Sequence, residues 1–273
     1  MKRICVMYFS GTDNTKKVSI GFAESLKKHL GNSLCCEISI YNFTPPENRK
    51  QMPEFDSNDI LVLAVPTIAG RVPNLLLPYL SKIKAKNSLG VPIVTFGNRN
   101  FDDSLIELSR LMEEGGCNII AGGAFIGEHS FSEILAKNRP DQEDFIVLDN
   151  FAKKVAQKIL SGDYSRVEID GEIPFRPYFT PRDRNGNSIN FVKIKPVTDT
   201  EKCDSCGICA KICPLGSIDK FNFDKIIGKC MKCCACIKKC HTGAKYFDDE
   251  GYIYHMKELE DMYFKRKEPK VFI

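Results

Sequence analysis

Eight cysteines fall in two matching runs, Cys203-x-x-Cys206-x-x-Cys209-x-x-x-Cys213-Pro214 and Cys230-x-x-Cys233-x-x-Cys236-x-x-x-Cys240. Thiolates at three-residue spacing wrap a loop around one iron–sulfur cubane. The fourth cysteine, carried off by the turn behind it, ligates the other cubane. The spacing predicts two [4Fe–4S] clusters. One takes Cys203, Cys206, Cys209 and Cys240; the other takes Cys230, Cys233, Cys236 and Cys213. Neither run closes a cluster alone, so the two must fold as one unit. Gly207, Gly216 and Gly243 suit a close approach of backbone N–H groups to sulfide. Zinc sites pair CxxC units across a longer spacer and match this pattern poorly. His241 stands where proline commonly follows the last cysteine. It is a titratable donor near the first cluster or a plain turn residue. Cys234 falls outside the three-residue spacing and is a spare.

A second chemical signal is Ser10-Gly11-Thr12-Asp13-Asn14-Thr15, between a predicted strand and a predicted helix. Backbone N–H groups and the helix dipole at such a junction favour a phosphate, and the hydroxyls of Ser10, Thr12 and Thr15 would complete its shell. Simple N-capping by Asp13 or Asn14 would suit the segment nearly as well. No G-x-G-x-x-G follows the first strand, which disfavours a nicotinamide site.

Both signals need elements to hold them. Apolar runs at 3–9, 34–40, 59–65, 91–96 and 117–125 are long enough for strands buried on both faces. Helical periodicity lies between and after them, at about 14–29, 73–83, 102–114 and 143–160. Alternation of this kind implies an α/β fold with a parallel sheet. Cys5, Cys35, Cys36 and Cys117 fall in or beside strands and read as small core hydrophobes. The expected divisions are an α/β domain over 1–162, an extended linker over 163–198, the cysteine module over 199–248 and a tail over 249–273 with helical character. Phe175, Tyr178, Phe179 and Phe191 suggest that the linker packs on a domain surface.

The chain has 273 residues, 43% hydrophobic and 27% charged, which is enough for two cores. A net charge of +4 is too slight to indicate nucleic acid. Nine of the 13 cysteines lie between Cys203 and Cys240, and with no export signal apparent this clustering points to metal and not to disulfides. No membrane span is expected, and the default location is the cytoplasm.

The phosphate loop at 10–15, the Gly-Asn-Arg loop at 97–99, the Gly-Glu-His-Ser segment at 127–130 and both cysteine runs together resemble the flavodoxin–ferredoxin fusion proteins of anaerobes. The resemblance covers nearly the whole chain. It implies a flavodoxin-like, doubly wound, five-stranded parallel sheet of order 2-1-3-4-5, followed by an α+β bacterial ferredoxin domain. It also implies FMN, with its phosphate on the first loop and its ring flanked by Pro66, Thr67, Ile68, Ala69 and Gly70 on one side and Gly97, Asn98, Arg99, Asn100, Phe101 and Asp102 on the other. Ile68 and Phe101 are the candidate ring contacts, and Gly127 to Phe131 either closes the pocket or faces a partner. Asp13 stands where such phosphate loops usually have glycine, and its charge would weaken FMN binding unless it points outward.

A cubane passes single electrons and a flavin holds one or two, so the combination converts between the two. The leading expectation is an electron carrier that exchanges low-potential electrons with a redox protein partner. The alternatives are an FMN-dependent reductase of a quinone or nitro compound, with Tyr8, Glu128 or His129 as proton donor, and a redox-sensing interaction protein. If the flavin and the clusters lie far apart in one chain, a homodimer would let electrons pass between chains.

Overall fold

The computed structural model describes residues 2–34 and 36–273; Cys35 lies outside them. Five segments build the parallel sheet: β1 Lys2–Tyr8, β2 Cys36–Asn42, β3 Asp59–Pro66, β4 Leu89–Phe96 and a fifth strand in two pieces, β5 Asn118–Ile119 and β6 Gly122–Ile126. Their order is β2-β1-β3-β4-β6. The switch point between β1 and β3 is where doubly wound sheets open a crevice at the strand carboxyl ends.

β3 and β4 are buried almost throughout, which is why they read as unbroken apolar runs. In β1 alternate residues go to opposite cores. Ile4, Val6 and Tyr8 pack beneath helices α1 Asn14–Leu30 and α4 Gln142–Ser161, where Phe22 and Phe151 meet at 5.0 Å. Cys5, Met7 and Phe9 face α2 Leu77–Leu80 and α3 Ser104–Glu114. Cys5, Cys36 and Cys117 are all buried.

The predicted helix over 73–83 is instead a 3₁₀ turn, Asn74–Leu76, followed by the single turn of α2. Pro73 and Pro78 each lack an N–H, so only a restarted first turn accommodates Pro78. The fifth strand breaks because its register slips by one residue: Gly90 pairs with Ile119, yet Ile93 pairs with Gly123. The extra residue makes a local bulge.

The cysteine module closes on a two-stranded ribbon, β7 Val197–Thr198 against β8 Lys245–Tyr246. Each cysteine run ends its loop on a short helix, α5 Ile208–Ile212 and α6 Ala235–Lys238. The tail forms α7 Glu250–Met262 and then β9 Lys270–Phe272, an antiparallel edge strand on β6. The sheet is therefore not wholly parallel. β9 covers the unpaired edge of β6 and fastens the end of the chain to the first domain.

The linker is a strap laid across the first domain. The Val167 N–H donates to Ile119 O at 3.2 Å and the Phe179 N–H to Ala69 O at 2.9 Å. Arg176 forms an ion pair with the fully buried Asp103, whose carboxylate also accepts from the N–H of Glu172 and of Arg176. The Arg176 contact is the main reason that Asp103 is held down at about 2. Its contribution to stability is whole above about pH 4 and is lost as pH falls towards 2. Arg176→Ala is expected to leave the sheet intact and speed proteolytic cutting of the strap at neutral pH. An unchanged cleavage rate would show that the clamp holds nothing.

Candidate functional site

β1 delivers the chain to the crevice at Phe9, and α1 begins five residues later. Asp13, its N-cap, lies in the left-handed region at φ 68° and makes no side-chain cap. Its carboxylate turns outward and pairs with Lys239 at 2.9 Å. Ser10 Oγ accepts from the Lys16 N–H at 3.2 Å, and Thr15 Oγ1 shares a 2.7 Å bond with Thr95 Oγ1. Ser10, Gly11, Thr12, Asn14 and Thr15 line a cavity of about 270 Å³. A helix start with adjacent hydroxyls and an outward-turned carboxylate is a chemical match for a phosphate.

Pro66, Thr67, Ile68, Ala69 and Gly70 form a second wall of this cavity. The loop is a tight hairpin in which Ile68 and Arg71 exchange backbone bonds of 3.0 and 3.1 Å. Ala69 and Gly70 take φ of 52° and 76°, and a Cβ on Gly70 would meet Asp102 Oδ2 at 2.3 Å. Arg71 is drawn away to Glu107 at 2.6 Å and lies over the rings of Phe175 and Tyr178. Gly97, Arg99 and Asn100 make a third wall, with Glu128, His129, Ser130 and Phe131 beyond them.

Asp13, Asn98, Phe101 and Asp102 do not line the cavity. Asn98 is buried and its amide donates to Tyr263 O at 2.5 Å and Lys265 O at 2.9 Å, which bolts the tail to the loop. Phe101 packs into the core against Phe96 at 5.6 Å. Asp102 forms an ion pair with Arg99.

The strap, the cysteine module and α7 supply the remaining wall: Phe179, Pro181, Phe191, Met231, Lys232, Cys233, His255 and Leu259. Their rings interlock. Phe179 stacks on His255 at 6.1 Å, Phe191 meets His255 edge-on at 5.2 Å and stacks on Phe131 at 5.9 Å, and the Arg99 guanidinium sits 4.8 Å over Phe179. The aromatic content of the linker was the one signal for this wall. Its position over the crevice depends on long-range packing that sequence spacing does not encode.

His255 is 7% exposed, and burial together with the nearby Arg99 pushes it down to about 4. His129 is likewise pushed to about 4 by burial, then by His255, Lys238 and Arg99. Both rings are neutral at pH 7. Between pH 6.5 and 4 the unfolded chain binds protons that the folded chain refuses, so acid lowers stability by up to about 1.4 kcal/mol per pH unit for each ring. His255→Gln is expected to flatten the fall in the anaerobic urea midpoint between pH 7 and pH 5. A midpoint that falls as steeply as in the unsubstituted protein would contradict this.

A second, smaller cavity is lined by Cys213, Cys230, Cys233 and Cys236, thus by cysteines from both runs, together with Cys234, within an apolar shell that includes Leu215, Ile218, Ile226 and Phe247. Burial pushes the Cys233 thiol up to about 12 and raises Cys230 and Cys236 as well. Protons on such buried thiols are the form that bound iron replaces. Cys203, Cys206 and Cys209 lie together elsewhere, close enough to influence one another electrostatically. Partial burial opposes ionisation of Cys240, yet the Thr242 hydroxyl and the N–H groups of Lys245 and Ala244 hold its thiol below the usual value. His241 and Asp204 pair at 2.8 Å on the exposed rim beside Cys206. The grouping of Cys213, Cys230, Cys233 and Cys236 fits the thiolate ligation of an iron–sulfur cubane.

The two runs share a backbone feature at corresponding positions. Ser205 and Lys232 both take positive φ, of 60° and 56°, and so do Gly207 and Cys234, at 72° and 57°. Cys234 thus occupies the glycine position of the second run. It starts α6, is buried, and sits with its sulfur 3.5 Å from the Tyr252 hydroxyl.

Residues 196–219 match the family model of the 4Fe-4S binding domain. An uncharacterized ferredoxin of Methanocaldococcus jannaschii is 34% identical over 70 residues, which cover 23% of this chain and 45% of the relative. The match therefore spans less than half of that relative's length. Among solved structures, the flavodoxin of Streptococcus pneumoniae TIGR4 is 17% identical, covering 57% of this chain and 99% of its own, with a TM-score of 0.38. A short-chain flavodoxin associated with a PDU bacterial microcompartment is also 17% identical, covering 58% and 99%, with a TM-score of 0.41. The observed strand order, with helices on both faces of the sheet, is itself that of the flavodoxin-like fold. In one chain, a sheet of flavodoxin-like strand order is followed by a segment that matches the 4Fe-4S binding domain model.

Proposed function

We propose that this protein is an electron carrier in which two [4Fe–4S] clusters and one FMN form a single chain of redox centres. Cys203, Cys206, Cys209 and Cys240 hold the first cluster; Cys213, Cys230, Cys233 and Cys236 hold the second. FMN supplies a centre able to take one or two electrons. Its phosphate lies on the 10–15 loop and its ring between the 66–70 and 97–100 loops. The observation that carries this reading is that Cys233 lines both cavities. A Cβ placed on Gly11 would lie 3.1 Å from Cys233 Cβ, so the phosphate loop and the second cluster's loop are in contact. Electrons then need no second chain to reach the flavin.

The unequal exposure of the two cysteine sets supports a direction of approach. Cys206, in the first set, is the exposed one of the eight, whereas the other seven are part-buried. A redox protein partner meets the first cluster, and the second cluster relays to FMN. Anaerobic protein, once reduced, is expected to pass electrons to an oxidised ferredoxin- or flavodoxin-type acceptor and to leave a quinone or nitro compound alone. Rapid turnover of the small acceptors with no protein partner would make it a reductase instead.

A further inference from the structure

Resting on the carrier reading, we propose that Lys232 is the common counter-charge of the second cluster and the flavin, a positioning residue that raises the affinity of both centres for electrons. The tripeptide Met231-Lys232-Cys233 lines both cavities and forms the partition between them. Among the described residues, the lysines and arginines that line the flavin cavity are Lys232 and Arg99. Arg99 is paired with Asp102, and beyond the rim Lys238 is paired with Glu128 and Lys239 with Asp13. Both histidines on its wall are neutral at pH 7. Lys232 is part-buried, and its ammonium donates to Val192 O at 3.1 Å and Cys230 O at 3.2 Å. Among the described residues no carboxylate pairs with it. Partial burial holds the Lys232 ammonium below the usual lysine value; the Cys230 sulfur acts against this and a second cation, Lys195, adds to it.

The backbone adds a second line of support. A lysine at φ 56° is strained by roughly 1 kcal/mol, and the matching position in the first run is the small Ser205. The first run does without a cation there and the second places one, on the side that faces the flavin. Reduction adds negative charge to a cluster or to a flavin, and a fixed cation in a partly desolvated partition stabilises that charge through an effective dielectric well below that of water. One ammonium acts on both centres because both share its wall.

The test is an anaerobic potentiometric titration of the full chain followed by visible and magnetic-resonance spectra, preceded by iron and flavin analysis. The variants are Lys232→Asn, which is neutral and tolerates the left-handed backbone, and Lys232→Arg, which keeps the charge. Lys232→Ser, which copies the first run, replaces the Asn variant if the latter fails to load a centre. Lys232→Asn is expected to lower the potentials of the second cluster and the flavin together. The shift corresponds to about tenfold in the reduced-to-oxidised ratio, or about 59 mV for a one-electron centre. The first cluster should stay in place, and Lys232→Arg should restore most of the shift. Unchanged potentials in a fully loaded Asn variant, or equal shifts at all three centres, would overturn the assignment and leave the carrier reading standing. Absence of flavin or of the second cluster from the unsubstituted protein would sink the carrier reading itself.

Discussion

Cys213→Ser should cost the protein the second cluster and spare the first, although Cys213 belongs to the first cysteine run. Its thiol shares a cavity with Cys230, Cys233 and Cys236, and it lies close enough to Cys230 and Cys233 to influence their ionisation. Iron is expected to fall from about eight to about four per chain, with flavin retained. A double variant decides whether the ligands cross. With crossed ligands, Cys213→Ser/Cys233→Ser damages a single cluster and about four irons remain. With each run closing its own cluster, the same pair damages both and iron approaches zero. Cys234→Ser should keep all eight, because that sulfur faces Tyr252.

The second large effect concerns stability. Arg139 is 5% exposed and Asp144 1%, and they form a bidentate pair at the start of α4. Asp144 also closes the α4 capping box with Asp141, while Arg139 donates to Lys267 O at 3.2 Å in the tail. Its backbone carbonyl accepts from the Glu128 N–H at 2.9 Å, so the pair also fixes the loop that carries His129 into the cavity. Removing one partner strands a buried charge. Arg139→Met is therefore expected to destabilise the fold by about 3–5 kcal/mol, whereas Arg139→Met/Asp144→Leu should recover most of that loss. Chemical denaturation of the two variants measures the difference. Equal destabilisation in both would show that the cap and the tail contact matter more than the charge.

These effects differ in how far the sequence foretells them. The cysteine runs stand out in the sequence because ligand spacing is local. The sheet order follows from buried strands alternating with helices, which leave few alternatives. Phe179, Phe191 and His255 were not legible as cavity wall, since an aromatic in a proline-rich linker reads the same whether it covers a crevice or a plain surface. Phe101 shows the opposite error: as an apolar residue in a loop it reads as a ring contact, yet it packs on Phe96 inside the core. Cys234 looked superfluous until its left-handed backbone matched it to Gly207. β9 carries no periodicity in three residues, and only the open edge of β6 gives it a place.

Electron passage from clusters to flavin within one chain requires three centres loaded across the Cys233 partition. Iron, acid-labile sulfide and flavin, measured on full-length protein purified without oxygen, test it most directly. About eight irons, about eight sulfides and one FMN per chain are predicted; four irons, zinc in place of iron, or protein without flavin would contradict it.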